Sequence, residues 1–151
     1  MAILPGFPGF EVTIRVNGVA LQEYQDAYEA EPDTPDRITR YVQATSGAKF
    51  DIFFKRQQGF QLPNHEISVD IILDGHCVEK QLILKTQLDS PHFTRRVYGA
   101  LRGSNGNYRL HPFMFSELDI GMFMIKFTGL STNCMQLILH WWRKGSVREK
   151  W

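Results

Sequence analysis

The sequence predicts an all-β domain, an antiparallel β-sandwich of jelly-roll or immunoglobulin-like kind with about eight strands. Three observations carry that expectation. Apolar and polar residues alternate with a period of two along most of the chain up to residue 115. Turn-forming pairs recur about every ten residues, among them Asn17-Gly18 and Asp74-Gly75. No stretch carries the apolar spacing of an amphipathic helix, and no repeat or low-complexity tract breaks the pattern.

The elements follow in order. In FEVTIRV, Phe10, Val12, Ile14 and Val16 face one way and Glu11, Thr13 and Arg15 the other, as in a strand with one buried face. Asn17-Gly18 tolerates positive φ at both positions and returns the chain into VALQEY. Residues 23–36 hold Glu23, Asp26, Glu29, Glu31, Asp33 and Asp36 with no basic residue and two prolines, which reads as a solvated loop. It lacks the D-x-D-x-D-G spacing of a calcium loop. RITRYVQA and AKFDIFFK are two further strands joined by Thr45-Ser46-Gly47, and Phe50, Ile52 and Phe54 share a face. EISVDIIL and CVEKQLILK flank Asp74-Gly75, a second hairpin, with Ile67, Val69, Ile71 and Leu73 alternating against Ser68 and Asp70. HFTRRVYGAL, the loop RGSNGN and YRLHPFMF complete the set.

Bulk properties narrow the class. At 151 residues and 43% hydrophobic content the chain can bury a core without staples. A formal charge of +1 gives no global field to steer it onto nucleic acid or an acidic membrane. Cys77 and Cys134 are too few and too far apart to form a disulfide framework. MAILPGFPGF has no basic leader and carries two prolines, so no secretion signal is read and a cytoplasmic or nuclear location is expected. No apolar run is long enough to span a bilayer, and there is no N-x-[ST] site.

Candidate chemistry is sparse. Gly99, Gly103 and Gly106 lack both the spacing of a phosphate cradle and a following helix. Asp89, Ser90 and His92 are sequence neighbours, an arrangement that turn chemistry explains and a catalytic triad does not. His65, His76, His92, His111 and His140 show no zinc-ligand spacing. No catalytic residue, metal or cofactor is therefore expected. One cluster remains: Arg95, Arg96, Arg102 and Arg109 with Tyr98 and Tyr108, a basic, aromatic-bearing surface. It suits an interaction face, or a solvated sheet face whose arginine stems cover the pleat.

Four blocks in order, LPGFPGFEVTIRVNG with LQEY, RYVQATSGAKFDI, FTRRVYG and FMFSELDI, resemble a fungal family of β-rich domains of unknown function. The resemblance covers about residues 1–120. It implies a compact intracellular β-sandwich and supplies no catalytic residue to carry over.

Residues 121–151 depart from that family. One reading makes MFMIKF and CMQLILHWW extra strands that complete the sandwich. The other makes Gly121 to Gln136 a translated intron, since codons for Gly121-Met122-Phe123 can contain GTATGT, those for Thr132-Asn133 can contain CTAAC and Gln136 can be CAG; its excision would shift the frame, so that LILHWWRKGSVREKW would also be an out-of-frame reading. In that case Trp141 and Trp142 were never selected for packing, and the last thirty or so residues should pack poorly. The basic end, Arg143, Lys144, Arg148 and Lys150, could otherwise be read as a localisation or nucleic-acid tail.

The functional expectation is a non-enzymatic module that presents loops or a sheet edge to a protein partner. A carbohydrate- or small-ligand-binding sandwich is the alternative, marked by an aromatic groove near Tyr41, Phe60 or Tyr98. A nucleic-acid-associated role ranks below it. An enzyme would need a pocket joining His92 or His111 to a carboxylate.

Overall fold

The computed structural model describes residues 2–3, 8–25, 33–35, 37–57, 66–116, 122–131 and 134–142, with backbone only for nearly all of the last two segments. Among these residues strand is the dominant element. β1 (Ala2–Ile3), β2 (Phe10–Val16), β3 (Val19–Ala20), β4 (Glu23–Tyr24), β5 (Arg37–Gln43) and β6 (Phe50–Arg56) come first. β7 (Ile67–Leu73), β8 (His76–Ile83), β9 (Thr94–Val97), β10 (Gly99–Ser104), β11 (Asn107–Pro112), β12 (Met122–Ser131) and β13 (Cys134–Trp142) follow. The one helical element is a single turn, α1 (Lys85–Leu88). No described helix is long and apolar enough to cross a membrane.

The strands form two main sheets. One has the order β1-β2-β6-β9, with β3 returning on β2. The other has the order β4-β5-β12-β13-β7-β8. Between them lies one core. Phe10, Val12, Ile14, Phe50, Ile52, Phe54 and Val97 come from the first sheet, and Ile38, Val42, Ile67, Val69, Ile71 and Ile83 from the second, all buried. The alternation of the sequence is thus the alternation of inner and outer faces. Every pairing is antiparallel except that of β13 with β7, which is parallel. That is the departure from a purely antiparallel sandwich.

More segments appear than the eight expected. Ala2–Ile3 is a short strand of its own, and VALQEY divides into β3 and β4. HFTRRVYGAL is not one strand: it breaks at Tyr98, where the chain leaves the first sheet and enters a separate β10–β11 ribbon. Residues 122–142 add two long strands, and these sit between β5 and β7. The side chains of Trp141 and Trp142, and all of 143–151, lie outside the described part. Thr45-Ser46-Gly47, which the sequence alone reads as joining two strands, carries the chain from one sheet to the other.

Three two-residue turns share one geometry. Asn17 and Gly18, Asp74 and Gly75, and Asn105 and Gly106 all have positive φ, from 48° to 82°. This is the mirror-image turn whose twist matches the flanking strands. Asp89 to His92 form turns, as their composition suggests.

Because β5 and β7 pair only through β12 and β13, ending the chain after residue 120 is expected to abolish cooperative urea unfolding. A truncated protein with an unchanged unfolding midpoint would mean that the segment is dispensable, as its origin in an intron would require.

Candidate functional site

The β10–β11 ribbon projects from the sandwich. Its base is buried: Val97 and Ala100 on one side, Phe113 and Phe115 on the other, with both phenylalanines stacked on Phe50 at 5.6 and 4.5 Å between centroids. Backbone hydrogen bonds from Phe50 to Phe113 and from Phe115 to Ala48 tie this root to the start of β6. Beyond the root, residues 101–112 are all exposed.

Register sorts the ribbon into two faces. Leu101 lies opposite Leu110, and Gly103 opposite Tyr108, on one face. Arg102 lies opposite Arg109, and Ala100 opposite His111, on the other. The apolar face is open to solvent, with Leu101 61%, Tyr108 62% and Leu110 42% exposed. Gly103 is needed where it stands. A Cβ there would fall 2.0 Å from the Asn107 carbonyl oxygen, and its φ is +149°.

The six residues of the basic cluster separate in space. Arg95 donates to Gln81 Oε1 at 2.8 Å, linking edge strand β9 to edge strand β8 of the opposite sheet. Arg96 pairs with Asp51 at 2.8 Å and lies over the Tyr98 ring. Asp51 is 2% exposed, whereas Arg96 is 60% exposed at its side chain. Arg102, Arg109 and Tyr108 are brought together on the ribbon, and neither arginine forms an ion pair among the described residues. Sequence reasoning missed Leu101 and Leu110 as a paired apolar face. The signal was present as alternation on both sides of Asn105-Gly106, but Gly103 interrupts it.

A second feature is a groove of about 580 Å³ on the first sheet, lined by Glu11, Lys55, Gln57, His92, Phe93 and Thr94 among others. Glu11 stands opposite Lys55 in register. Phe93 forms part of the lining and stacks on Phe10 at 6.4 Å. Arg56 also lines this space, and it donates to the Leu88 and Ser90 carbonyls at 2.6 and 3.3 Å, closing the end of α1. The groove does place His92 and a carboxylate on one surface; His111 is not part of it. Of the aromatic markers for a carbohydrate groove, Tyr41 is buried, Tyr98 is half-exposed beneath Arg96, and Phe60 lies outside the described residues.

In the acidic 23–36 stretch, residues 26–32 and 36 lie outside the described part. Asp33 forms a two-pronged pair with Arg40 at 3.0 and 2.7 Å, which holds its carboxyl below the ordinary range. Burial pushes Glu23 above the ordinary range, opposed by nearby positive charge that includes Arg40.

The fold and its ribbon define a two-sheet β-sandwich with a projecting, two-faced β-hairpin arm. The chain belongs to the family described as a domain of unknown function (DUF7918), whose model matches residues 9–124. That span contains the first sheet from β2 onward, the arm and the first residues of β12. No curated protein and no solved structure matches the chain.

Two outcomes follow from the polar contacts. Arg96→Ala strands the buried Asp51 carboxylate, whose Oδ1 already has no partner among the described residues. The expected loss is about 2–3 kcal/mol in chemical unfolding, less than for an enclosed pair because Arg96 is exposed. Adding Asp51→Asn should recover part of that loss. For Glu23 the folded state binds its proton more tightly than the unfolded state does. Stability therefore falls as pH rises from the ordinary carboxylate range through the raised value. The stability gain of Glu23→Gln over wild type should widen between about pH 4 and pH 7. A gap that stays constant or narrows would contradict the burial argument.

Proposed function

We propose that this domain is a non-enzymatic, intracellular interaction module that engages a protein partner through the β10–β11 arm. The observation that carries the reading is the arm's apolar face: Leu101, Tyr108 and Leu110 are 61%, 62% and 42% exposed on an element already rooted in the core. Apolar side chains on a rigid projection cost solubility in an isolated domain, and their usual use is as anchors at an interface. The arginines on the reverse face add charge for orientation and partner choice. The exposed free thiol of Cys77 fits a reducing compartment.

A second reading rests on a different observation. The groove at Glu11, Lys55, His92 and Phe93 lies within the size range of small-ligand sites and combines an aromatic ring with hydrogen-bonding groups. It supports a small polar ligand, a sugar included. Chemical-shift changes at His92 and Thr94 on titration with a glycan panel would favour it.

The arm reading is tested by proximity crosslinking of the full chain and of Leu101→Ser/Leu110→Ser. Both positions are exposed, so the variant should unfold at the same urea concentration as wild type. The crosslinked species seen with wild type should be lost with the variant. Identical crosslinks from both proteins would overturn the proposal.

A further inference from the structure

We infer that the arm takes its partner by strand addition: an extended peptide with alternating acidic and apolar side chains pairs along the free edge of β11. This rests on the interaction reading above and specifies the form of the partner.

The two-residue turn sets which backbone groups are free. With Asn105-Gly106 as the turn, Ser104 and Asn107 form the first hydrogen-bonded pair, and bonded and non-bonded pairs then alternate. Arg102 with Arg109, and Ala100 with His111, point their N–H and C=O groups at each other. Tyr108 and Leu110 point theirs outward. The phase is borne out one step beyond β11, where the Phe113 N–H donates to the Tyr98 carbonyl at 3.0 Å. No described strand pairs with the outer edge of β11. Strand β10 has a near neighbour in β8, although the two do not pair. Pro112 has no N–H and falls at the next outward position, so it ends the free edge.

Open edges are usually guarded by lysine, proline or a bulge. Here Tyr108 and Leu110, both apolar, occupy the stretch between the turn and Pro112. A strand laid on this edge would place alternate side chains beside Tyr108 and Leu110 on one face, and beside Arg109 and His111 on the other. The first set favours apolar neighbours and the second acidic ones. Arg102 and Arg109 are also directly opposite each other, an arrangement that destabilises an isolated hairpin. A carboxylate arriving on that face relieves the repulsion. A phosphodiester backbone would use the arginines but neither the apolar face nor the main-chain edge.

The test uses the full chain and a fluorescein-labelled hexapeptide alternating Glu and Val, read by fluorescence anisotropy. Saturable binding is expected, along with slower hydrogen exchange at the Tyr108 and Leu110 amides. A peptide with the same residues in two blocks should bind at least about tenfold more weakly, as should the alternating peptide to Arg102→Ser/Arg109→Ser. Of two peptides N-methylated on alternate amides, one should lose binding and the other keep it. Equal binding of the blocked and alternating peptides, or indifference to both methylations, would overturn strand addition. So would an oligonucleotide that binds the same face with a steep salt dependence. If no peptide binds while the crosslinks still depend on Leu101 and Leu110, strand addition fails and the interaction reading stands. Arm-independent crosslinks remove both.

Discussion

Strand β6 is the constraint on which the rest depends. Its inner face carries Phe50, Ile52 and Phe54, all nearly sealed from solvent, and each end anchors a different part of the molecule. At one end Phe54 stacks on Phe10 at 5.8 Å, and Phe10 on Phe93, which fixes the turn leading into β9. At the other end Phe50 stacks on Phe113 and Phe115, which fixes the base of the arm. Stacked aromatics bury large apolar areas in preferred orientations, so they position as well as stabilise. The arm can project with both faces wet because its root is buried among stacked aromatic rings of the core.

Several arginines do the polar equivalent of this anchoring. Arg95 ties the edges of the two sheets, Arg96 neutralises Asp51, Arg56 closes α1, and Arg40 holds Asp33. Arg96 and Arg40 meet carboxylates, whereas Arg95 and Arg56 meet neutral oxygens. Arg102 and Arg109, which form no ion pair among the described residues, carry their charge on the arm. Arg15 adds a different use: its guanidinium lies 3.3 Å from the centroid of Phe53, covering an apolar ring on the outer face.

Local pattern was well legible in the sequence. The alternation of β2 and β7, the Asn-Gly and Asp-Gly turns and the all-β class follow from side-chain periodicity and positive-φ chemistry, both local properties. What was not legible is non-local. Nothing in Thr45-Ser46-Gly47 says whether it turns within a sheet or crosses between sheets. Nothing in TRRVYG distinguishes Arg96, which meets Asp51, from arginines that meet only water. The break at Tyr98 depends on Gly99 passing so close to the His111 carbonyl that a Cβ would sit 2.4 Å away, a contact set by the partner strand. The groove joining Glu11 to His92 is assembled from β2, β6 and the turn before β9, three stretches that the sequence lists far apart.

The topology of the second sheet bears on how the chain is made. The first sheet is complete once β9 has been synthesised, and its pairings are antiparallel and in part local. In the second sheet Arg40 pairs with Ile125 and Ile71 with Leu137, so β5 and β7 have no central neighbours until β12 and β13 leave the ribosome. Through that interval the inner faces of Ile38, Val42, Ile67 and Val69 have no finished sheet to hold them. Long-range and parallel pairings are slow to form, and incomplete sheets are prone to associate. Newly made chains should therefore lean on holding chaperones until β12 and β13 have emerged, and chains released before that point should be cleared rather than accumulate.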